Sequence, residues 1–506
     1  MTIAMIFEKL PTSQYGISVT APLLILSSGL VYFLGVIVYN VFLHPLRNYP
    51  GPKLWAATRV PYTKAALSGR ANRIILDLHG KYGPVVRVAP NILSYSHPDA
   101  MTEIRGHRKG GMGENGKEPN EFNRQVHNII GAPREEHTRV RRVLSHGFSA
   151  QAMLNQQPIM KKYVDKLFEE LHKQSRNVTR PLNMVDWFNF CTFDVIGDLA
   201  FGEPFGCLES SNYHPWVALL FASLNGLSWA QHLEQFPLIA PLLKFLMPKG
   251  MATKWAEHQQ LSEAKVRKRL ALETERPDFM DALQKKRDAD ARDFTFQELV
   301  SNASILIMAG SETTATVLSA ATYYLTSNPR TLAKLTQEVR STFATEDEID
   351  LVSVQKLSYM LAVLDESMRM YPSVPGASPR RIAPGGDTIL GQYVPGGTTV
   401  DVWQSALYRN PAYFTQAEDF VPERWLGDPR FENDRKQAFQ PFSTGPRNCI
   451  GRNLAYAEMR LIMARLVWNF DMRLAQHSLN WDKKSQMYIL WEKGPVDVYL
   501  TPRSDL

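Results

Sequence analysis

The chain has 506 residues, 44% of them hydrophobic, so it can bury a large core as one big domain or two ordinary ones. Its three cysteines, Cys191, Cys207 and Cys449, cannot form a disulfide framework and fit a reducing compartment. The formal net charge of +7 arises from basic residues scattered along the chain, which argues against a nucleic-acid-binding protein because no Lys/Arg block stands out.

The first predicted element is a membrane helix. No charged residue occurs from Leu10 to Leu43, and residues 17–43 are strongly apolar, which exceeds the roughly 20 residues that cross a bilayer. The stretch is too long for the apolar core of a cleaved signal peptide. Basic residues follow it, so the positive-inside rule places the main body in the cytosol. We therefore predict an N-terminal region, residues 1–43, with a single anchor over about 17–43.

The remainder predicts one large, mainly helical domain with a small β component. Residues 44–52 carry three prolines and a glycine and indicate a stiff hinge, since proline restricts its own φ and the preceding residue. Residues 82–96 alternate well enough for two short strands around a turn. Residues 134–326 are largely helical in pattern, whereas 382–402 and 487–500 favour short strands. The predicted division is therefore an anchor region, a hinge and a domain over 53–506.

One long helix is predicted from Thr295 to Asn328, with a capping box formed by Thr295 and Glu298. Inside it, residues 309–314 read Ala-Gly-Ser-Glu-Thr-Thr. A glycine and a polar cluster in an otherwise apolar helix cost stability and therefore need a reason. The cluster indicates either a chemical role or a helix that bends at its back-bonding threonines.

Two charged motifs follow. Glu366 and Arg369 stand at i and i+3 on one helix face, where on sequence alone they are most often a solvated ion pair. Residues 422–425 read Pro-Glu-Arg-Trp.

The most informative segment is the glycine-bracketed loop of residues 441–451, which places Cys449 directly before a predicted helix. Gly445 and Gly451 allow backbone N–H groups to approach the sulfur, and the N-terminus of the following helix favours thiolate over thiol. A lone thiolate in this setting suits the axial ligand of a haem iron, and Arg447 suits a haem propionate. The alternative is a buried, inert cysteine in a turn.

This loop matches F-x-x-G-x-R-x-C-x-G and resembles the haem-binding signature of the cytochrome P-450 family, the standard example of a haem held by a cysteine thiolate. The chain also resembles the family in its A/G-G-x-D/E-T-T/S motif at 309–314, its E-x-x-R at 366–369 and its P-E-R-W at 422–425. These motifs occur in the family's order. The resemblance implies the cytochrome P-450 fold, mainly α with a small β component, preceded by one transmembrane helix.

The resemblance also implies roles for particular residues. Cys449 is expected to be the axial ligand of the haem iron. Glu312, which replaces the commoner aspartate, would guide protons, while Thr313 would hydrogen-bond the oxygen and Gly310 would leave room for it. Glu366, Arg369 and Arg424 would form a buried structural network. The remaining expected haem contacts are Phe442, Arg447, Gly451, Arg141, His137 in place of a family tryptophan, and Arg380 in preference to Arg381.

The implied function is that of a haem-thiolate monooxygenase. It would use O2 and electrons from NADPH, delivered by a reductase (cytochrome b5 is a further candidate), to hydroxylate or otherwise oxidise a lipophilic small molecule. The hinge and residues 137–149 resemble those of fungal enzymes that make terpenoids, polyketides or alkaloids. Together with the predicted anchor, the resemblance implies a protein of the endoplasmic reticulum membrane with its catalytic domain in the cytosol.

Three alternatives remain open at this point. The same fold could catalyse coupling, desaturation or rearrangement, although the intact Glu312–Thr313 pair argues against a peroxide-rearranging enzyme. The chain could instead be a non-catalytic haem-binding protein, or a membrane-tethered structural module without haem.

Overall fold

The computed structural model describes residues 20–108, 113–119, 127–176, 179–236, 251–272, 276, 278–281, 294–376 and 378–503. The anchor prediction therefore lies partly outside the described residues, at 17–19.

The N-terminal helix spans Thr20–Val38 and continues as a π-helix over Tyr39–Leu43. Residues 21–43 are long and apolar enough to cross a membrane and are exposed to the surroundings of the protein. The helix Phe296–Ser327 passes the same length and composition test, but it is mostly buried and is a core helix.

Helices make up most of the described chain, as expected. After the N-terminal segment they are Lys53–Ala57, Val60–Leu67, Ala71–Tyr82, Ala100–Arg105, Arg134–Gly147, Ala150–Ser175, Met184–Phe201, Cys207–Ser210, Pro215–Leu233, Met251–Leu270, Phe296–Ser327, Pro329–Thr342, Ser358–Met370, Gln404–Tyr408, Arg452–Asn469 and Trp481–Lys484. Short 3₁₀ turns occur at Glu346–Glu348, Ser353–Lys356, Pro422–Leu426, Pro429–Phe431, Lys436–Ala438 and Gln476–Ser478.

The helix Phe296–Ser327, called the central helix below, organises the core. Its N-cap, Thr295, accepts a hydrogen bond from the Glu298 backbone N–H, and the Glu298 carboxylate accepts from the Thr295 backbone N–H, so the predicted capping box is confirmed. Pro329 lies past its end and begins the next helix. The central helix packs most extensively against Met184–Phe201, which is buried along nearly its whole length.

Twelve strands in the described chain form four small sheets. They are β1 Val85–Ala89, β2 Ile92–Tyr95, β3 Gly116–Lys117, β4 Leu182–Asn183, β5 Arg380–Arg381, β6 Asp387–Ile389, β7 Gln392–Val394, β8 Thr399–Val402, β9 Phe470–Leu474, β10 Gln486–Met487, β11 Trp491–Glu492 and β12 Asp497–Pro502. The five-stranded sheet has the order β1-β2-β8-β5-β3, with β2 and β8 parallel and the other pairs antiparallel. The antiparallel pair β1–β2 confirms the two strands predicted within 82–96.

Two apolar clusters stabilise the molecule. The larger joins the central helix to its helical neighbours, and the smaller lies between the five-stranded sheet and residues 382–439. The cysteine loop runs between the 3₁₀ turn Lys436–Ala438 and the helix Arg452–Asn469, beside the larger cluster.

Candidate functional site

The cysteine loop has a backbone that only glycine allows at Gly445. Its φ is +79°, and a Cβ there would lie 1.9 Å from the Arg105 carbonyl oxygen, so any side chain would be both strained and blocked. The Cys449 backbone N–H donates to the Phe442 carbonyl at 2.8 Å and closes the loop. The helix begins three residues after the cysteine, at Arg452.

The Cys449 side chain opens into a cavity of about 310 Å³ while protein atoms surround it on its other sides. Burial raises the pKa of its thiol, against lowering by the Gly451 backbone N–H and the positive charges of Arg141 and Arg452. We expected the glycines and the helix N-terminus to favour the thiolate. In the protein alone desolvation outweighs them, so the net direction of the pKa is upward.

The central helix supplies much of the cavity lining, which is largely apolar with a few hydroxyl groups. The lining residues from the central helix and from neighbouring segments include Ile129, Ile130, Ile196, Ile305, Leu306, Ala309, Gly310, Thr313, Thr314, Val317, Ser373 and Val374. Gly451 and Phe442 line the cavity near Cys449, and the Phe442 ring lies 5.2 Å from that of Tyr456.

One end of the cavity is strongly basic. His137, Arg141, Arg380 and Arg447 all line it, as expected, and the structure adds Arg105 and Lys117. Lys117 on β3 is the cross-strand neighbour of Arg380 on β5, which brings two positive side chains to one place.

These basic groups differ in what already binds them. Arg447 pairs with Glu114 at 2.8 Å and donates to the Ala132 carbonyl, whereas Arg141 donates to the backbone and side-chain oxygens of Asn448, next to the cysteine. Burial, together with the charges of Arg447 and Arg141, lowers the pKa of His137 to about 4, so the ring is neutral.

Arg380 is the least satisfied of the group. Its side chain is buried, its Nε has no hydrogen-bond partner among the described residues, and desolvation with the charges of Arg105 and Arg447 lowers its pKa to about 9. A buried guanidinium with an unmet donor needs an acceptor, and an anionic group at this end of the cavity would provide one. The neighbouring Arg381 instead pairs with Glu118 and does not line the cavity.

The residues present therefore fit a haem. A cysteine thiol, an apolar stretch of the central helix and a cluster of basic groups that can bind carboxylates all line the same cavity.

Thr313 and Glu312, the two polar residues of the central helix with expected roles, lie on different faces of that helix. Thr313 lines the cavity, and its hydroxyl donates to the Ala309 carbonyl at 2.6 Å. Glu312 lies on another face, buried, where it pairs with Lys493 and accepts from Thr316 at 3.3 Å.

Gly310 also has a packing role, besides the expected one of leaving room for oxygen. It lines the cavity, but a Cβ there would lie 2.7 Å from Cδ1 of Ile196, so the neighbouring helix fills the direction in which a side chain would project. The glycine allows the central helix and Met184–Phe201 to pack closely.

The structure brings Glu366, Arg369 and Arg424 together with their side chains fully buried. Both guanidinium groups donate to the Glu366 carboxylate at 2.9–3.1 Å. Asp434, which the motifs do not contain, completes the cluster by accepting from Arg424 at 2.5 Å, and the indole of Trp425, the last residue of the P-E-R-W motif, donates to Glu366 at 3.0 Å. The buried charges are therefore balanced.

Three residues near the site escaped sequence reasoning. Arg105 and Lys117 lie in segments without a recognisable motif. Lys493 follows a two-residue strand, and a lysine in such a position is normally predicted to be exposed to solvent. The alternation of Trp491 inward and Glu492 outward is the one signal that could have placed Lys493 inward.

Comparisons with known proteins agree with this geometry. A family model described as Cytochrome P450 matches residues 50–500. The trichothecene C-15 hydroxylase of Fusarium sporotrichioides is 55% identical over 95% of this chain and 99% of its own length. The averantin hydroxylase of Dothistroma septosporum is 43% identical over 94% and 90% of the two chains, and a cytochrome P450 monooxygenase of Aspergillus oryzae is 43% identical over 92% and 94%.

Proposed function

Since the chain belongs to the cytochrome P450 family and is a haem-dependent monooxygenase of the fungal secondary-metabolite type, we propose that Cys449 holds the haem iron and that the cavity above it receives a lipophilic substrate. The observation that carries this proposal is the Cys449 thiol, which opens into a cavity that Thr313 and a cluster of basic residues also line. Bound there, a haem would supply the oxygen-activating and redox chemistry.

The protein's own contribution begins with holding that group. The Gly451 N–H and the charge of Arg141 stabilise negative charge on the Cys449 sulfur. Arg380, Arg447 and Lys117 would bind the haem propionates, with His137 and Arg105 beside them. Phe442 lines the cavity near Cys449 and would add an apolar contact to the group.

The second contribution is control of protons on the opposite side. The Thr313 hydroxyl lies at the cavity wall, where it can accept and donate hydrogen bonds, and Glu312 is the adjacent ionisable group. We assign Thr313 to hold a proton at its hydroxyl oxygen and Glu312 to exchange it with solvent. Gly310 allows the close approach of the central helix to the helix Met184–Phe201 beside the cavity.

The substrate is proposed to be a fungal secondary metabolite, with a trichothecene-type compound first because of the 55% identity to the trichothecene C-15 hydroxylase. The isoleucine-rich wall suits a lipophilic molecule, and Ser373 and Thr313 offer hydroxyl groups for orientation. Hydroxylation is the reaction most consistent with the relatives' names; terpenoid, polyketide and alkaloid frameworks are the wider class.

The cellular setting follows from the anchor. We propose that residues 1–43 fix the protein in the endoplasmic reticulum membrane, that 44–52 form a hinge and that 53–506 form the cytosolic catalytic domain. Electrons come from NADPH through a membrane-bound reductase, with cytochrome b5 as a further candidate donor.

The proposal is tested by reconstituting the full chain with a fungal NADPH–cytochrome reductase in lipid vesicles and adding trichothecenes that lack the C-15 hydroxyl group. The expected product is heavier by one oxygen atom, and the added oxygen carries the label when ¹⁸O2 is used. A product whose oxygen comes from labelled water, or one that forms without NADPH, would contradict a monooxygenase. Metabolism of averantin in place of trichothecenes would change the substrate and keep the reaction.

A further inference from the structure

A buried ion pair lies behind the cavity wall. The Lys493 and Glu312 side chains are only 4% and 3% exposed, and the ammonium group contacts Oε1 of the carboxylate. The Thr316 hydroxyl donates to the same oxygen at 3.3 Å, while Oε2 has no hydrogen-bond partner within the described chain. Glu312 is thus directed away from the cavity that its neighbour Thr313 lines.

The short hairpin that carries Lys493 is also fastened to the other side of the same site. The Trp491 indole donates to the Pro372 carbonyl at 2.8 Å, and its ring stacks on Tyr371 at 4.2 Å. One residue further, the Ser373 hydroxyl donates to the Thr313 carbonyl at 2.7 Å. Trp491 therefore holds residues 371–373, and Ser373 of this segment bonds Thr313. Lys493 holds the carboxylate of Glu312.

Stability alone does not explain this pair. Taking an ammonium and a carboxylate out of water costs about as much as their attraction returns, and apolar side chains of similar size would serve a core equally well. Glu312 is adjacent to Thr313 on the central helix, and its partner Lys493 directly follows β11, which is far away in the sequence. That position favours a role in the reaction.

We propose that Lys493 is a positioning residue for proton delivery: its ammonium group holds the Glu312 carboxylate toward the C-terminal hairpin, so that protons reach Thr313 only in step with release of this ion pair. The inference rests on the proposed roles of Glu312 and Thr313. When the pair opens, the carboxylate takes up a proton from solvent, and transfer of that proton toward Thr313 restores the carboxylate to its partner. No bond other than O–H is made or broken in this exchange.

The test uses the full-length, haem-loaded protein with reductase and NADPH. Lys493→Met removes the charge and keeps the length, Lys493→Arg keeps the charge, and Lys483→Met, an exposed lysine of the same region, is the matched control. The measurements are the fraction of NADPH electrons recovered in product, the hydrogen peroxide released, and the carbon monoxide difference spectrum.

Lys493→Met is expected to keep the carbon monoxide band, because Cys449 is untouched, and to lower product recovery per NADPH on the order of 10-fold, as loss of an outer group that orients a reacting one typically does. Lys493→Arg restores most of the coupling, and Lys483→Met resembles the wild type. In the double variant Glu312→Gln/Lys493→Met the loss equals that of Glu312→Gln alone, because the lysine acts only through the carboxylate.

Two results would overturn the inference. One is a Lys493→Met protein with normal coupling and only a lower melting temperature, which would make the pair structural. The other is multiplication of the two losses in the double variant, which would make Lys493 independent of Glu312. If Lys493→Met does not fold, the product recovered per NADPH is compared between Glu312→Gln and the double variant, since neither leaves an unpaired carboxylate. A further loss in the double variant would then show that Lys493 acts independently of Glu312. A wild-type protein that lacks the carbon monoxide band would instead contradict the proposed function, haem binding through Cys449.

Discussion

Two adjacent arginines show how sharply the site distinguishes single residues. Arg380 is buried at the basic end of the cavity with an unmet Nε donor, whereas Arg381 pairs with Glu118 and is more exposed. Both lie on β5, where side chains alternate between the two faces of the sheet. Only one of them can therefore face the cavity.

Arg380→Ala is expected to lower haem retention, because it removes a donor that the propionates need. We expect the affinity for haem to fall on the order of 10- to 100-fold, the usual cost of losing an outer contact to a metal group. The ratio of Soret to protein absorbance after dialysis measures it. Arg381→Ala is the control and should retain haem; equal losses in both variants would contradict the assignment.

Glu458 provides a pH-dependent prediction at the same scale. It is buried, neither carboxylate oxygen has a hydrogen-bond partner among the described residues, and burial raises its pKa to about 8. A raised carboxyl pKa means that the folded protein binds the proton more tightly than the unfolded chain. Its contribution to stability is complete below the ordinary pKa of 4.5 and is lost as the pH rises to about 8.

Glu458→Gln should therefore raise the melting temperature at pH 8 and change it little at pH 5. The loss in the wild type is about 1.4 kcal/mol per pH unit across this window. Melting curves of the two proteins at pH 5, 6.5 and 8 measure the difference, with the exposed Glu209→Gln as control. A parallel pH dependence in wild type and Glu458→Gln would show that another group is responsible.

At the scale of elements, the buried charge cluster supports the cysteine loop through a chain of contacts. Arg369 donates to the Tyr408 carbonyl at 2.9 Å, and the Tyr408 hydroxyl accepts from the Gln440 backbone N–H at 3.0 Å, just before the loop begins. The cluster of Glu366, Arg369, Arg424 and Asp434 therefore connects the helix Ser358–Met370 to the start of the haem-binding segment. We assign it a structural role.

Arg424→Met should destabilise the protein strongly, because it leaves Glu366 with one cationic partner and Asp434 with an unpaired buried charge. The expected loss is about 3–5 kcal/mol of unfolding free energy. Urea unfolding followed by Soret absorbance measures it. Arg430→Met, which breaks an exposed pair with Asp428, is the matched control and should leave the unfolding midpoint nearly unchanged. Similar midpoints in the two variants would contradict a supporting network.

Local signals predicted the elements well because local physics decides them. The capping box at Thr295 fixes where the central helix begins, and the alternation before residue 96 gives the pair β1–β2. Contacts between distant segments were inaccessible by the same means: Lys117 meets Arg380 across strands, and Asp434 joins the arginine cluster, without any pattern in the sequence. The packing reason for Gly310 likewise depends on Ile196, which lies in another helix.

For the whole molecule, the N-terminal helix has an end that contacts the folded domain. The Asn40 amide donates to the Ala57 carbonyl at 2.9 Å, and its backbone oxygen accepts from the buried Arg87 guanidinium at 2.9 Å. Most of the exposed apolar surface lies before this point, over residues 21–39, and Phe42 and Leu43 are exposed just after it. Membrane attachment and folding can therefore be separated at about residue 38.

Removal of residues 1–38 is expected to release the protein from membranes while keeping its melting temperature, because Asn40 is retained. Removal of residues 1–43 should release it equally but lower the melting temperature, since the buried Arg87 loses an acceptor. Fractionation followed by thermal melting measures both effects. A protein that stays in the membrane fraction without residues 1–38 would show that another surface anchors it.

The central claim, that Cys449 holds the haem iron as a thiolate, is tested most directly by the carbon monoxide difference spectrum of the dithionite-reduced protein. The wild type is expected to show the strongly red-shifted Soret band of a thiolate-ligated haem, and Cys449→His, which can still bind haem, is expected to lose that shift. A wild-type protein that is folded and loaded with haem but lacks the band, or a Cys449→His variant that keeps it, would contradict the assignment.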